Sequence, residues 1–175
     1  MLKSLGSEPK VAIDPPATVT CALAKALSAW LNEFVQPKAK ALFNSPVVKL
    51  YASTYVCRNR NGGADQPLSE HALANAIDIS DFVLASGEQI AVVENSPNGP
   101  ASPPLPLHNP SRVSSETVKV RVAVSLDDRE RDFLESIHDE ACKTFGTVLG
   151  PNADEAHKNH LHVDMKQRRS ASFCQ

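Results

Sequence analysis

Histidine is concentrated near an aspartate that stands among apolar residues. Four of the six histidines lie in two stretches, Ser69 to Asp78 (SEHALANAID) and His157 to Asp164 (HKNHLHVD), so metal or proton chemistry belongs there first. Asp78 sits between Ile77 and Ile79, in a segment that reads as a half-buried strand. A buried, unpaired carboxylate is costly, so Asp78 needs a cation or hydrogen-bond donors. A metal ion meets that need. Catalytic zinc takes three protein ligands from His and Asp or Glu and keeps a fourth position open. His160 and His162 are two apart in a strand pattern, so both imidazoles face one side. One can bind metal while the other reaches a water beside it. Asp164 continues that face and can orient an imidazole. The bland alternative is a set of surface or hydrogen-bonded core histidines, because H-x-H pairs also occur by chance.

The elements that would hold these residues can be read from periodicity and punctuation. Residues 1–17 are polar, carry Pro9, Pro15 and Pro16, and read as an extended lead-in to a single domain over 18–175. Residues 18–35 read as a helix capped by Thr18 or Thr20, with Leu23, Leu27, Trp30, Leu31 and Phe34 on one face and Pro37 limiting its end. Trp30 is expected to anchor the core. Residues 46–57 are β-branched and aromatic and read as a strand, followed by an Asn-Gly-Gly loop at 59–63. Residues 68–75 read as a short helix with Ser69 as its cap. Residues 76–85 and 89–94 read as a hairpin turning at Ser86-Gly87. Six prolines from 97 to 110 exclude regular structure there, so 95–115 reads as a long surface loop. Residues 117–124 alternate as a strand, and 127–145 form a helix started by Asp127 or Asp128. A loop over 146–159 leads to a strand at 160–165 and a basic, polar tail.

Composition bounds the function classes. The chain has 175 residues, 42% apolar and 22% charged, with a formal net charge of -2. That is ordinary for one globular domain and gives no electrostatic footprint for nucleic acid. No apolar run is long enough to span a bilayer. The first ten residues lack the apolar core of a secretory signal, so the chain is either cytosolic or a fragment whose signal or anchor is absent. The cysteines, at 21, 57, 142 and 174, form no C-x-x-C pair. They fit two disulfides in an oxidising compartment or four thiols in a reducing one.

The pattern S-x-H-x6-D, followed far downstream by H-x-H, resembles the zinc-peptidase group of D-Ala-D-Ala carboxypeptidases and murein endopeptidases. The stretches TCALAKALSAWL, SPVVKLYASTYVCRNRNGG, LSEHALANAIDISDFVLASGEQIAV, ACKTFGTVLGP and HKNHLHVDM are similar to the bacterial extensin-like C-terminal domain family, related to that group. The resemblance implies one Zn2+ ion bound by His71, Asp78 and His162, with His160 as general base. It implies that Arg58 or Arg60 holds a substrate carboxylate or oxyanion, and that His157 and Ser69 stand in or beside the site. It implies an α+β fold, a small antiparallel sheet with flanking helices, of the Hedgehog/DD-peptidase-like zinc-peptidase type. The expected activity is hydrolysis of peptidoglycan stem peptides, as a DD- or LD-endopeptidase, in the periplasm or cell envelope. A D-Ala-D-Ala carboxypeptidase or a non-catalytic wall-binding module on the same fold are the alternatives, and a monomer is expected. Secreted relatives favour disulfides, and the pairing expected is Cys21–Cys57 with Cys142–Cys174. One departure stands out: where the group has Gly three residues after the first His, this chain has Ala74.

Overall fold

The computed structural model describes residues 1–60, 66–93, 126–168 and 171–175. The Pro-rich stretch 95–115, the strand expected at 117–124 and most of the 59–63 loop lie outside the described residues. The described chain is α+β. Its strands are β1 (Leu2–Leu5), β2 (Val11–Ala17), β3 (Val47–Ser53), β4 (Ala76–Leu84), β5 (Gln89–Ala91), β6 (Thr147–Leu149), β7 (Leu161–Asp164) and β8 (Phe173–Cys174). They form one sheet in the order β1-β2-β3-β4-β7-β6-β8, with β5 pairing to β4. The sheet is mixed, which corrects the expectation of a small antiparallel one: β2 runs parallel to β3, and β6 parallel to β8.

The additional strands come from segments read as irregular. Residues 1–17 supply β1 and β2, which bury Leu5, Val11, Ile13 and Ala17 in the core. Pro15 and Pro16 are tolerated because they fall where the register shifts, between the Ser4–Ala12 and Leu2–Ala17 partners, and no ladder hydrogen bond is asked of them. The expected 146–159 loop contains β6, and the polar tail returns as β8 beside it.

The helical layer starts at Thr20, whose hydroxyl accepts from the Leu23 N–H. α1 (Cys21–Trp30) does not end near Pro37. It passes through one π-helical turn, Leu31–Val35, into α2 (Gln36–Phe43). In that turn the cap N–H of Gln36 reaches back to Leu31 O, and Pro37 falls in the first turn of α2, where a missing N–H costs little. The true stop is Asn44, in the left-handed region at φ 51°. Gln36 then pins the next strand: its amide donates to Val47 O at 2.7 Å and accepts from Val47 N at 2.9 Å. α3 (Asp128–Thr144) begins with a reciprocal capping box between Asp127 and Glu130. Trp30 is fully buried, donates its indole N–H to Ile137 O at 3.1 Å, and meets Phe82 and Phe145 edge-on.

Along β4, Ile77, Ile79, Phe82 and Leu84 enter the core that the helices cover. Asp78 alternates to the opposite face, as period two requires. Leu161 and Val163 of β7 do the same beside it, leaving His162 opposite. Two devices hold the far edge. Cys142 of α3 is bonded to Cys174 of β8. Gly146 allows a close crossing, since a Cβ there would run into the Lys166 carbonyl.

The second expected disulfide is absent: Cys21 and Cys57 are both exposed free thiols. Their segments are joined instead by Thr18 N to Thr54 Oγ1 at 3.1 Å, and from Cys21 the chain coils into α1 while around Cys57 it has no regular structure.

Three outcomes follow from this framework. Alkylation without reduction should label Cys21 and Cys57 and leave Cys142 and Cys174 unlabelled by peptide mass mapping; four labels would contradict the bond. Gly146→Ala should destabilise by about 2 kcal/mol or more in urea unfolding, because the obstacle is backbone. Asp127→Ala should cost about 1 kcal/mol as a lost cap.

Candidate metal centre

Asp78 and His162 are direct cross-strand partners on β4 and β7. Strand pairing therefore sets their distance: His162 Nδ1 lies 2.8 Å from Asp78 Oδ1. His71 arrives from a single 3₁₀ turn, Glu70–Leu73, capped by the Ser69 hydroxyl on the His71 N–H. Its Nε2 lies 3.2 Å from Asp78 Oδ1 and 3.3 Å from His162 Nδ1. Three zinc bonds of about 2.0–2.1 Å at tetrahedral angles put ligand atoms about 3.3 Å apart. The triangle observed is close to that size, with one short edge where Asp78 and His162 share a hydrogen bond. The donor set, two imidazoles and one carboxylate, also fits a catalytic zinc site.

The neighbours settle which ring nitrogen is available. His71 Nδ1 faces the Thr54 carbonyl at 2.6 Å, and a carbonyl only accepts. Nδ1 therefore carries the proton and Nε2 presents its lone pair to the triangle. His162 Nε2 is 3.4 Å from Asp164 Oδ2, leaving Nδ1 as the inward atom in the same way. The turn bearing His71 is tied down on several sides. Thr20 N donates to Ala74 O, Ser69 N to Arg58 O, and Met165 N to Asn75 O. Asn75 also donates to Glu70 at 2.8 Å. The turn closes on Ala74 at φ 54°, ψ 28°. That left-handed conformation is the one glycine adopts without cost, so the departure noted in the sequence falls on a strained residue.

His160 precedes β7, with Nε2 3.6 Å from Asp78 Oδ1. Its Nδ1 is 2.9 Å from Asn159 Oδ1 and donates to it, which frees Nε2. His157 stacks near both, with ring centroids 5.2 Å from His160 and 5.8 Å from His162. All these groups, with Ser69, Asp164, Arg58 and Arg60, line one cleft of about 640 Å³. Arg60 approaches Glu70 at 4.0 Å. The four cysteines do not line it.

Sequence reasoning missed other residues that hold or line the site. Thr54 contributes a backbone carbonyl, which leaves no side-chain signal. Asp154 accepts from His157 Nδ1 at 2.6 Å, a pairing foreshadowed by their i,i+3 spacing. Lys166 and Arg168 also border the cleft, from a tail read only as basic and polar.

The electrostatics divide the site. Burial opposes the Asp78 charge, but hydrogen bonds and charge from His162 and His71 outweigh it and hold its pKa well below the usual carboxylate range. Burial likewise opposes charge on His162, yet Asp164 and Asp78 push its pKa up to about 9. His160 goes the other way: burial lowers its pKa, and the nearby Asp78 charge only partly offsets that.

Comparison with known sequences now adds a family. The profile for the extensin-like protein C-terminus matches residues 2–104 and 113–175. The chain belongs to the extensin-like C-terminal family. The match covers every residue of the cleft, so the cage is carried within the extensin-like region itself. No curated protein and no solved structure matches the chain significantly.

Two predictions test the geometry. Ala74→Gly should raise stability by about 1 kcal/mol, read by urea unfolding, because it removes the left-handed penalty; a loss would mean the methyl packs usefully. In EDTA-treated protein, His162 binds its proton more tightly folded than unfolded. Its stabilisation is then complete below its ordinary value of 6.5 and lost as pH rises toward about 9. A melting series should fall across that window, and a flat series would refute the buried ion pair.

Proposed function

We propose that this chain is a zinc-dependent peptidase of peptidoglycan, acting as an endopeptidase on cross-links between stem peptides. The observation that carries the reading is the His71–Asp78–His162 triangle, with the His71 tautomer fixed, His162 Nδ1 turned inward and His160 at its edge. The resemblance of its motifs to zinc D-Ala-D-Ala peptidases and murein endopeptidases supplies the substrate class, and the Hedgehog/DD-peptidase-like fold belongs to the same reading. His71 Nε2, Asp78 Oδ1 and His162 Nδ1 would hold the ion. Bound there, zinc supplies Lewis acidity, which acidifies water and polarises a carbonyl.

The rest of the chemistry falls to the protein's own groups. His160 is kept neutral by burial, and its free Nε2 can take a proton from attacking water. The same nitrogen can return that proton to the departing amine. Arg58 is a cation at the cleft with no side-chain partner among the described residues, suited to an oxyanion or a substrate carboxylate. Asp164 holds the His162 ring in place through Nε2. An envelope location fits the Cys142–Cys174 bond. No described helix is long and apolar enough to cross a membrane.

The test is digestion of purified diaminopimelate-type sacculi, with muropeptides resolved by mass spectrometry. Zinc-loaded protein should convert cross-linked dimers to monomers, and EDTA should stop it. His160→Ala should keep zinc and lose about 10²–10⁴-fold in rate, as expected for a lost acid–base group. His162→Ala should lose the metal, read by elemental analysis. Unchanged muropeptides from a zinc-loaded protein would refute the endopeptidase reading.

A further inference from the structure

The cleft's carboxylates have histidine, amide or cationic neighbours, Glu70 among them through Asn75 and Arg60, but three of its cations, Arg58, Lys166 and Arg168, have no carboxylate partner among the described residues. Asp78 and Asp164 are held by histidine, Asp154 by His157 at 2.6 Å, and Glu155 by Lys158 at 2.7 Å. Lys166 borders the same cleft and its ammonium has no partner among the described residues. Arg168 is fixed but not neutralised. Its guanidinium donates to Gly146 O at 2.9 Å and Thr147 Oγ1 at 2.8 Å, and lies 5.1 Å from the Phe173 ring centroid. None of these partners carries charge. The guanidinium is therefore oriented while its positive field stays available to a ligand. These are cationic groups without a carboxylate partner among the described residues, placed at the candidate site.

Its position in the sheet is informative. β4 and β7, which carry Asp78 and His162, lie between β3 and β6. Arg58 follows β3 on one side. Lys166 and Arg168 follow β7, and Arg168 is anchored to the start of β6 on the other side. β3 and β6 are three strand spacings apart, about 14 Å. An extended peptide of about four residues spans that distance.

We propose that Lys166 and Arg168 form a second carboxylate subsite, across the His71–Asp78–His162 triangle from Arg58. The cleft then takes a peptide with anionic groups on both sides of the amide held at its centre. This deepens the peptidase reading and rests on it for what happens to that amide; the binding itself does not require turnover.

The probe is N-acetyl-D-Glu-D-Ala-D-Ala, with a side-chain carboxylate at one end and a C-terminal carboxylate at the other. It is compared by calorimetric titration with its side-chain amide and its C-terminal amide. Zinc-loaded and EDTA-treated full chains are both used. Each amidation should weaken binding to the wild type about fivefold, the scale of one solvent-accessible ion pair. In Lys166→Gln, and more fully with Arg168→Gln added, one amidation should cease to matter while the other keeps its effect. Arg58→Gln should show the opposite dependence. Lys166→Gln is the decisive variant, since it breaks no existing side-chain contact. Equal binding of diacid and amides by the wild type would overturn the proposal. So would undiminished sensitivity to both amidations in the Lys166→Gln and Arg168→Gln proteins. Carboxylate preference in the EDTA-treated chain together with inert sacculi would sink the peptidase reading and leave the subsite standing. Digested sacculi without carboxylate preference would do the reverse.

Discussion

The pairing of Asp78 with His162 across β4 and β7 is the constraint on which the site depends. The two residues are in register, and their flanking neighbours Ile77, Ile79, Leu161 and Val163 face the core. A slip of one residue would turn those four side chains to the cleft and put the carboxylate and imidazole under the helices. The hydrophobic core therefore enforces the same register that brings Asp78 and His162 together. Asp78 is ionised because hydrogen bonds and charge from His162 and His71 outweigh its burial, and any loss of core packing on this strand pair is also a loss of the triangle. His71 is the third corner and comes from outside the sheet. It needs a separate set of ties, from Thr20, Arg58, Thr54 and Asn75, to bring one ring nitrogen to the same point.

That division explains what could be read in the sequence. The Asp78 anomaly and the H-x-H spacing were visible because strand periodicity converts directly into facing side chains. Thr20, Ser69 and Asp127 appeared as caps because capping depends on local chemistry. Edge strands were not visible. β6 and β8 are three and two residues long, too short for any alternation to show, and β8 exists because Cys174 is bonded to α3 and Gly146 lets the chain cross closely. Pro37 suggested a stop, but a π turn upstream changed which carbonyl Gln36 reaches, and the helix absorbed it. Cys21 and Cys57 illustrate the opposite limit. Their pairing was expected from resemblance, and pairing is a property of three-dimensional placement that spacing does not encode.

The two histidines of the H-x-H pair carry the clearest physical distinction in the cleft. They are two residues apart and both largely buried, so desolvation acts against charge on each. His162 lies between two carboxylates, at 2.8 and 3.4 Å, and their attraction exceeds its burial cost. His160 is 3.6 Å from Asp78, lacks the second carboxylate, and stands among three other imidazoles, so burial prevails. Environments that drive neighbouring groups apart in this way are how one site obtains both an electrostatic anchor and a neutral base. Asp164 is the residue that creates the asymmetry. It follows His162 by two on the same face, and it is anchored by the backbone N–H of Lys166 at 2.9 Å. It lies at the Nε2 edge of His162, away from the Asp78 side. The opposite electrostatics of His162 and His160 are thus drawn largely by one buried carboxylate at the end of β7. Its location follows from the same period-two geometry that placed Asp78 and His162 opposite each other.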